Sequence, residues 1–350
     1  MSADKFWQKP VDFFARREHY LDHMLPVWNA LRGERGKFYI PQCLAAYAEA
    51  KGVSDFIALT PYGAKEEEVS PDMSLSPMLV SSYGDMVVSH RRMPQRPFLF
   101  MEHGVGLTFK GSNAYAGGDG MRALVKLFLA PNEYIRKKTA VALPTAKQVV
   151  VGTPKLDRLS VTPTPWQRGI GQPVVVVSFH WDGSAIAPEA GNALRHYRDA
   201  LPKLAGSKHF KLVGHGHPRY REVLKPLYES LGIEAVWSFE RVLQIADVYV
   251  NDCSSTMYEF CATGKPVILL NAPWFRRDVK HGIRFWDYAD IGPQVDEPED
   301  LGTTIEAMLA DPSMFFAERA EMVKELYPYL SHSAQRAAGA ILGFLEAQRQ

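Results

Sequence analysis

Histidines recur in this chain just past short apolar runs. Glu102-His103-Gly104 follows the run 97–101, His180-Trp181-Asp182-Gly183 follows 174–179, and Gly214-His215-Gly216-His217-Pro218 follows 208–213. A neutral imidazole can take a proton from a hydroxyl at ordinary pH, and an imidazole N–H can donate to phosphate or offset its developing charge. His103 is therefore a candidate general base, with Gly104 beside it. His217, His180 and His215 are candidates for meeting a phosphate group. For each one alone, a hydrogen-bonded core histidine is an equally good account. Lys110, Lys155 and Arg336 are cations suited to phosphate, against a default of solvated surface.

A second cluster is Asn251-Asp252-Cys253-Ser254-Ser255-Thr256, which joins an apolar run to a helical pattern. Small residues let backbone approach a ligand, and the first N–H groups of a helix have no intrahelical partner and favour an anion. Asp252 and the hydroxyls of Ser254, Ser255 and Thr256 add polar groups there. Thr256 and Glu259 also form a capping-box spacing, so plain helix capping is the alternative. Glu259 either closes that box or accepts from ribose hydroxyls one turn inside the same site. His215-x-His217 has a metal-like spacing, but no third ligand has supporting local spacing and no Asp-x-Asp pair is present. No metal and no cofactor are expected, and the positive field is assigned to side chains.

These residues need elements to place them. Short apolar runs alternate with longer amphipathic stretches, which predicts parallel α/β structure. Strands are expected at 11–15, 37–40, 56–59, 86–89, 97–101, 126–130 and 148–151, with helices at 20–31, 41–51 and 133–140. Pro26 is expected to kink or shorten the first helix. The stretch 159–173 holds Pro163, Pro165 and Pro173 with Gly169 and Gly171, and reads as a linker. A second alternation follows, with strands at 174–179, 208–213, 235–237, 247–250 and 266–270. Its helices are expected at 188–204, 219–231, 239–245 and 256–263, and a helical region runs from about 303 to the end with a break at 327–331. The unbroken Val174-Val175-Val176-Val177 suits a strand covered on both faces. The expected fold is two Rossmann-like α/β domains with a cleft between them, over residues 1–165 and 170–330, with a helix at 331–350 packing across both. In such sheets ligands bind beyond the carboxyl ends of the strands. That is the edge where the histidines, glycines and small hydroxyls collect.

Composition narrows the classes. Forty Lys and Arg against 39 Asp and Glu give a net charge of +1, so no broad cationic surface gathers nucleic acid or anionic lipid. Arg16-Arg17 and Arg136-Lys137-Lys138 are local basic patches that read as solvated faces. Cys43, Cys253 and Cys261 show no paired or metal spacing, which suits a reducing compartment. Residues 1–10 lack the apolar core of a signal peptide, and no run approaches the roughly 20 apolar residues of a membrane helix. A cytoplasmic location is expected, at the inner face of a membrane if the acceptor lies there.

Taken together, the motifs resemble the CDP-glycerol glycerophosphotransferases of teichoic-acid synthesis, a family of GT-B architecture. The likeness spans roughly residues 97–340. Its strongest part is 246–260, from Ala246-Asp247-Val248 through Asn251-Asp252-Cys253-Ser254-Ser255-Thr256 to Glu259-Phe260, continuing into Gly264-Lys265-Pro266. Phe285-Trp286-Asp287-Tyr288 and Ile291-Gly292-Pro293 resemble that family's aromatic segment and its Gly-Pro turn. Gly152-Thr153-Pro154-Lys155-Leu156-Asp157 resembles its Gly-x-Pro-Arg-x-Asp element, with Lys155 where Arg is usual. His103-Gly104 with Lys110-Gly111 resembles the first catalytic histidine motif, His217-Pro218 the second, and Ala334-Gln335-Arg336 a closing arginine motif. The chain departs from the pattern at Phe179-His180-Trp181-Asp182, where Pro-Thr-x-Arg is usual, and at Gly216, where an arginine commonly precedes the His-Pro pair.

By that likeness His103 is the base, His217 assists at phosphate, Ser254 and Ser255 hold the diphosphate, and Glu259 holds the ribose. The expected activity is an inverting-type transfer of glycerol phosphate or a sugar from a nucleotide-diphosphate donor to an acceptor hydroxyl on a glycopolymer, a lipid-linked chain or a nucleic acid. Two alternatives stay open: a glycosyltransferase acting on a sugar, a polymer or a nucleic-acid base, and a non-hydrolysing nucleotide-sugar epimerase.

Overall fold

Parallel strands covered on both faces favour apolar runs, and among the described residues thirteen short strands pair in parallel. The computed structural model describes residues 4–59, 61–62, 66–67, 75–104, 122–140, 142–143, 145–157, 166–167, 169–185, 188–275 and 288–350. They fall into two units. The first takes the described residues between 4 and 104, between 122 and 157, and between 326 and 350, and the second those between 166 and 325.

The first unit carries a seven-stranded parallel sheet: β1 Val11–Phe14, β2 Arg35–Pro41, β3 Phe56–Leu59, β4 Met78–Val80, β5 Phe98–Met101, β6 Val125–Ala130 and β7 Lys147–Val150. Their order is β3-β2-β1-β4-β5-β6-β7. The order reverses between β1 and β4, the place where an open sheet leaves a crevice for ligand. Phe13, Phe38, Leu79, Leu99 and Leu127 are buried in one core with Leu21, Met24 and Trp28 of the helix Glu18–Leu31. Each such side chain contributes about 1.5–3 kcal/mol by leaving water.

The expected strand at 86–89 is corrected: Met86, Val87, Val88 and Ser89 lie within the helix Tyr83–Arg92. Ser82 caps that helix, its Oγ accepting from the Asp85 N–H at 3.1 Å. This cap and tertiary packing outweigh the β preference of two adjacent valines. The strand itself is β4, only three residues long. The helix Glu18–Leu31 runs through Pro26 and keeps its full length.

The helix Ser333–Arg349 places Ala337, Ala338, Ile341, Phe344 and Leu345 in the same core, with Phe344 edge-on to Trp7 at 5.3 Å. Asp157 holds its start, accepting from the N–H groups of Ser333 and Ala334 at 2.8 and 2.7 Å. Gly152 has φ +91°, and a Cβ there would run into Ser333 Oγ. Much of the Gly152-to-Asp157 element is thus spent on seating the last helix.

The second unit carries β8 Val174–Phe179, β9 Lys211–Gly216, β10 Glu234–Ala235, β11 Val248–Asn251, β12 Val267–Leu270 and β13 Gln294–Val295. All are parallel, in the order β10-β9-β8-β11-β12-β13, which reverses between β8 and β11. Two expectations change here. β9 runs three residues further than the sequence predicts, so Gly214, His215 and Gly216 lie in the strand rather than after it. The single helix expected at 188–204 is a chain of short turns, Pro188–Ala190, Leu194–Tyr197, Arg198–Ala200 and Leu201–Ala205. Pro188 lacks a backbone N–H, and Gly191 and Asn192 stand where the turns break.

Candidate active site

In the first unit, the residues just past β1, β4 and β5 gather at one edge. Past β5, Glu102 is buried and His103 half-buried. His103 Nδ1 bonds to the main-chain oxygen of Ser81, the residue that follows β4. A carbonyl oxygen only accepts, so Nδ1 carries the hydrogen and Nε2 is the basic nitrogen. Glu102 Oε1 stands 3.6 Å from the same Nδ1. A carboxylate and a carbonyl at Nδ1 orient a ring and stabilise the imidazolium that forms when Nε2 takes a proton. Gly104 follows with φ +116°, a left-handed backbone that only glycine adopts without strain.

The helix Glu18–Leu31, which follows β1, brings further rings to this place. Tyr20 stands edge-on to His103 at 4.6 Å between centroids, and His19 lies 5.7 Å from it. Burial pushes the His19 and His23 imidazoles well below 6.5, and the nearby charges of His103 and Lys155 push the same way. Beside them, Arg16 Nε donates to the buried Asp85 carboxylate at 2.7 Å. Burial pushes that carboxyl up while Arg16 pulls it back. His19, Tyr20, His23 and Ser81 were not singled out from the sequence. Reading only the residue after each strand passes over the first turn of the next helix, and β4 is too short to announce its end. Lys155 lies in this unit near His19 and His23, and Arg336 stacks on Tyr329 at 3.9 Å in the same unit. Lys110 lies outside the described residues, as do Gly111 and Phe285-Trp286-Asp287.

In the second unit, the edge past β8, β9 and β11 holds the other expected residues. Asp252 is fully buried and is spent on backbone: its carboxylate accepts from the N–H groups of His180, Ala193 and Cys253 at 3.0, 3.0 and 2.7 Å. It ties the end of β8, the turn before Leu194 and the loop after β11 to one point. His180 is buried and kept below 6.5 by that burial, with Asp252 pulling the other way. Its ring meets the His217 ring edge-on at 4.8 Å. His217 Nδ1 accepts the Arg219 backbone N–H at 3.1 Å, which puts the hydrogen of the neutral ring on Nε2. The His217 ring thus offers a hydrogen at Nε2 and the His103 ring a lone pair. The two rings differ in tautomer because different backbone groups meet their Nδ1 atoms.

Below that surface lies a buried polar network. Ser178 stands opposite His215 on one side and Asn251 on the other. Ser178 Oγ and His215 Nδ1 are 2.9 Å apart. Asn251 Nδ2 donates to Tyr249 Oη at 3.3 Å, and Asn251 Oδ1 accepts from the Ser254 N–H at 3.0 Å. Tyr249 Oη lies 2.9 Å from Thr256 Oγ1, which donates to Ser254 Oγ at 3.0 Å. Burial drives the Tyr249 phenol far up. His215 thus belongs to the layer that supports the loop. The helix Thr256–Cys261 starts at Ser255, whose side chain makes no cap hydrogen bond, and Thr256 turns its hydroxyl to Tyr249 and Ser254. Glu259 is buried one turn on. Among the described residues, no group of three or more His, Cys, Asp or Glu is arranged to hold a metal ion. No described helix is long and apolar enough to cross a membrane.

No protein-family model matches the chain, and no curated protein sequence does. Solved structures do. The wall teichoic acid polymerase TagF aligns with a TM-score of 0.65 at 11% identity, over 99% of this chain and 91% of that one. A UDP-GlcNAc 2-epimerase from Neisseria meningitidis aligns with a TM-score of 0.57 at 14% identity, over 97% and 100%. A putative UDP-N-acetylglucosamine 2-epimerase from Listeria monocytogenes gives 0.62 at 14%, over 97% and 96%. At such identities the likeness is one of fold: two parallel-sheet α/β domains of GT-B-like type.

Proposed function

We propose that this chain is a transferase that binds a nucleotide-diphosphate donor on its second unit and deprotonates an acceptor hydroxyl with His103 of its first. The observation that carries this reading is the His103 tautomer: Nδ1 is committed to the Ser81 carbonyl with Glu102 beside it, so Nε2 is the atom able to take a proton. His103 Nε2 takes the acceptor proton as the acceptor oxygen forms its bond to the donor, and a bond to a diphosphate oxygen breaks. If the transferred group is glycerol phosphate, attack falls on phosphorus and a nucleoside monophosphate leaves. If it is a sugar, attack falls on the anomeric carbon and a nucleoside diphosphate leaves. His217 Nε2–H and the hydroxyls of Ser254 and Ser255 are assigned to the charge on that leaving group. Glu259 is assigned to the ribose, Lys155 and Arg336 to the donor's phosphates, and Lys110 and Gly104 to the acceptor's surroundings. A cytoplasmic location and a glycopolymer or lipid-linked acceptor remain parts of this proposal.

The likeness to TagF supports the transferase. The likeness to the two epimerases supports a second reading, in which a nucleotide sugar is epimerised without an acceptor. One experiment separates them. The protein is screened by thermal shift against CDP, UDP, GDP and their glycerol and sugar conjugates, because a ligand that binds only the native state raises its melting temperature. The conjugate selected is then incubated with enzyme alone and with candidate acceptors. Turnover of donor alone to an epimer supports the second reading. Release of nucleotide only with acceptor supports the first. Absence of any nucleotide binding refutes both.

A further inference from the structure

The donor wall of the second unit lacks fixed positive charge among its expected members. Burial disfavours the charged form of His180, and His217 spends its Nδ1 on the Arg219 N–H, which leaves Nε2 as its donor. Ser254, Ser255 and Thr256 are uncharged. Asp252 and Glu259, both buried, add negative rather than positive charge. A nucleoside diphosphate is a multiply charged anion, and neutral donors with two carboxylates are a poor match for it. Three other cations of this unit are committed elsewhere. Lys265 Nζ donates to the carbonyls of Leu243 and Ala246 at 2.9 and 2.8 Å, Lys211 pairs with Glu234 at 2.6 Å, and Arg319 donates to three carbonyls inside the core.

Arg219 is different. It is exposed, yet its guanidinium lies over the Trp181 indole at 4.3 Å. Trp181 follows β8 and Arg219 follows β9, the two strands that also deliver His180 and His217. Its positive charge is close enough to His180 to lower that ring further. Its backbone N–H is the group that orients His217. Among the described residues the guanidinium makes no hydrogen bond or ion pair, so its planar fork of five donors is uncommitted. Stacking on an indole fixes the plane of the fork and reduces the rotamer freedom an arginine would otherwise lose on binding.

We propose that Arg219, set by the Trp181 indole beside His180 and His217, is a diphosphate-binding residue of the donor site. This rests on the reading that the second unit holds a nucleotide-diphosphate donor. Arg219 supplies the charge that the histidines and hydroxyls lack, and His217 Nε2–H works next to it because one backbone links the two. The arginine that the resembling family carries before its His-Pro pair is replaced here by Gly216, and Arg219 stands just after the pair instead.

The test is titration of CDP, UDP and GDP, and of cytidine, uridine and guanosine, into the wild type and the Arg219→Gln, Arg219→Lys and Ser254→Ala variants. Arg219→Gln is expected to weaken the bound diphosphate about ten- to hundredfold, the range for a lost hydrogen bond to a charged group. The nucleoside should bind unchanged, and so should the melting temperature without ligand, because Arg219 is exposed. Arg219→Lys should recover part of the loss, keeping charge without the planar stack. If Arg219→Gln keeps wild-type diphosphate affinity while Ser254→Ala loses it, Arg219 is excluded and the donor reading stands. If Arg219→Gln weakens nucleoside and diphosphate alike, the residue acts on the fold of the wall and the proposal fails. If the wild type binds no diphosphate, both the donor reading and this proposal fail.

Discussion

The imidazole of His103 gives its Nδ1 hydrogen to the main-chain oxygen of Ser81, two residues brought together from the ends of the neighbouring strands β5 and β4. On the other unit His217 has the reverse arrangement, its Nδ1 accepting a backbone N–H. One ring is set as a proton acceptor at Nε2, the other as a donor.

Replacing the two histidines should therefore give different kinetics. His103→Ala is expected to lower kcat about 10²–10⁴-fold, the usual worth of a general base, with nucleotide affinity almost unchanged. His217→Ala should weaken donor binding as well as turnover. Isothermal titration with the donor, next to steady-state rates, separates the two. Near wild-type kcat in His103→Ala, or an equal loss of nucleotide affinity in both variants, would contradict the assignment.

Turnover is expected to persist in EDTA. Arg219, His217 Nε2–H and the hydroxyls of Ser254 and Ser255 are assigned the work that a divalent ion does on other diphosphates. A rate assay with and without chelator, followed by metal add-back, decides it. Complete loss restored by added metal would overturn this assignment.

Acid should destabilise the first unit through His19 and His23. Unfolded, each imidazole titrates near 6.5; folded, burial holds both well below that value. Below about pH 6.5 the unfolded chain binds more protons than the native one. Stability is thus full above that pH and falls as the pH drops towards the lowered folded values, by at most about 1.4 kcal/mol per pH unit per imidazole. His180 acts with the same sign in the second unit. Urea midpoints measured at about pH 7.5 and about pH 5.5 should converge in His19→Gln/His23→Gln. An unchanged acid sensitivity in that double variant would show that other groups dominate.

Asp252 and Asp157 each give their carboxylates to backbone N–H groups, and their losses should differ with burial. Asp157 is half-buried and holds the start of one helix, so Asp157→Ala should cost about 0.5–2 kcal/mol, the range for a lost cap. Asp252→Ala leaves three buried N–H groups without their acceptor, at about 1–3 kcal/mol each. Chemical denaturation of both variants orders them. A milder loss for Asp252→Ala would mean that the loop after β11 rearranges to satisfy those groups.

What the sequence by itself determined was the α/β class, the tandem of two parallel sheets and the strand-end residues that make up most of the candidate site. Unbroken runs such as Val174–Phe179 and Phe98–Met101 carry their own signal, because burial on both faces demands apolar residues at every position. Polar residues past those runs were legible for the same reason. Only the tertiary structure decided which group meets each of them. Ser81 lies 22 residues from His103, and Asp252 reaches back 72 residues to His180. Such pairs follow from strand order, and strand order leaves no local trace in composition or spacing. β4 was hidden because three residues are too few to show a period, and a better pattern at 86–89 stood close by. His215 changed from a wall residue to a supporting one because β9 runs on through Gly214 and Gly216. No side chain at either glycine obstructs Tyr228 or Leu224, which pack where a Cβ would stand. The tautomers of His103 and His217, on which the proposed roles of base and donor rest, are likewise set by backbone groups that only the folded chain brings within reach.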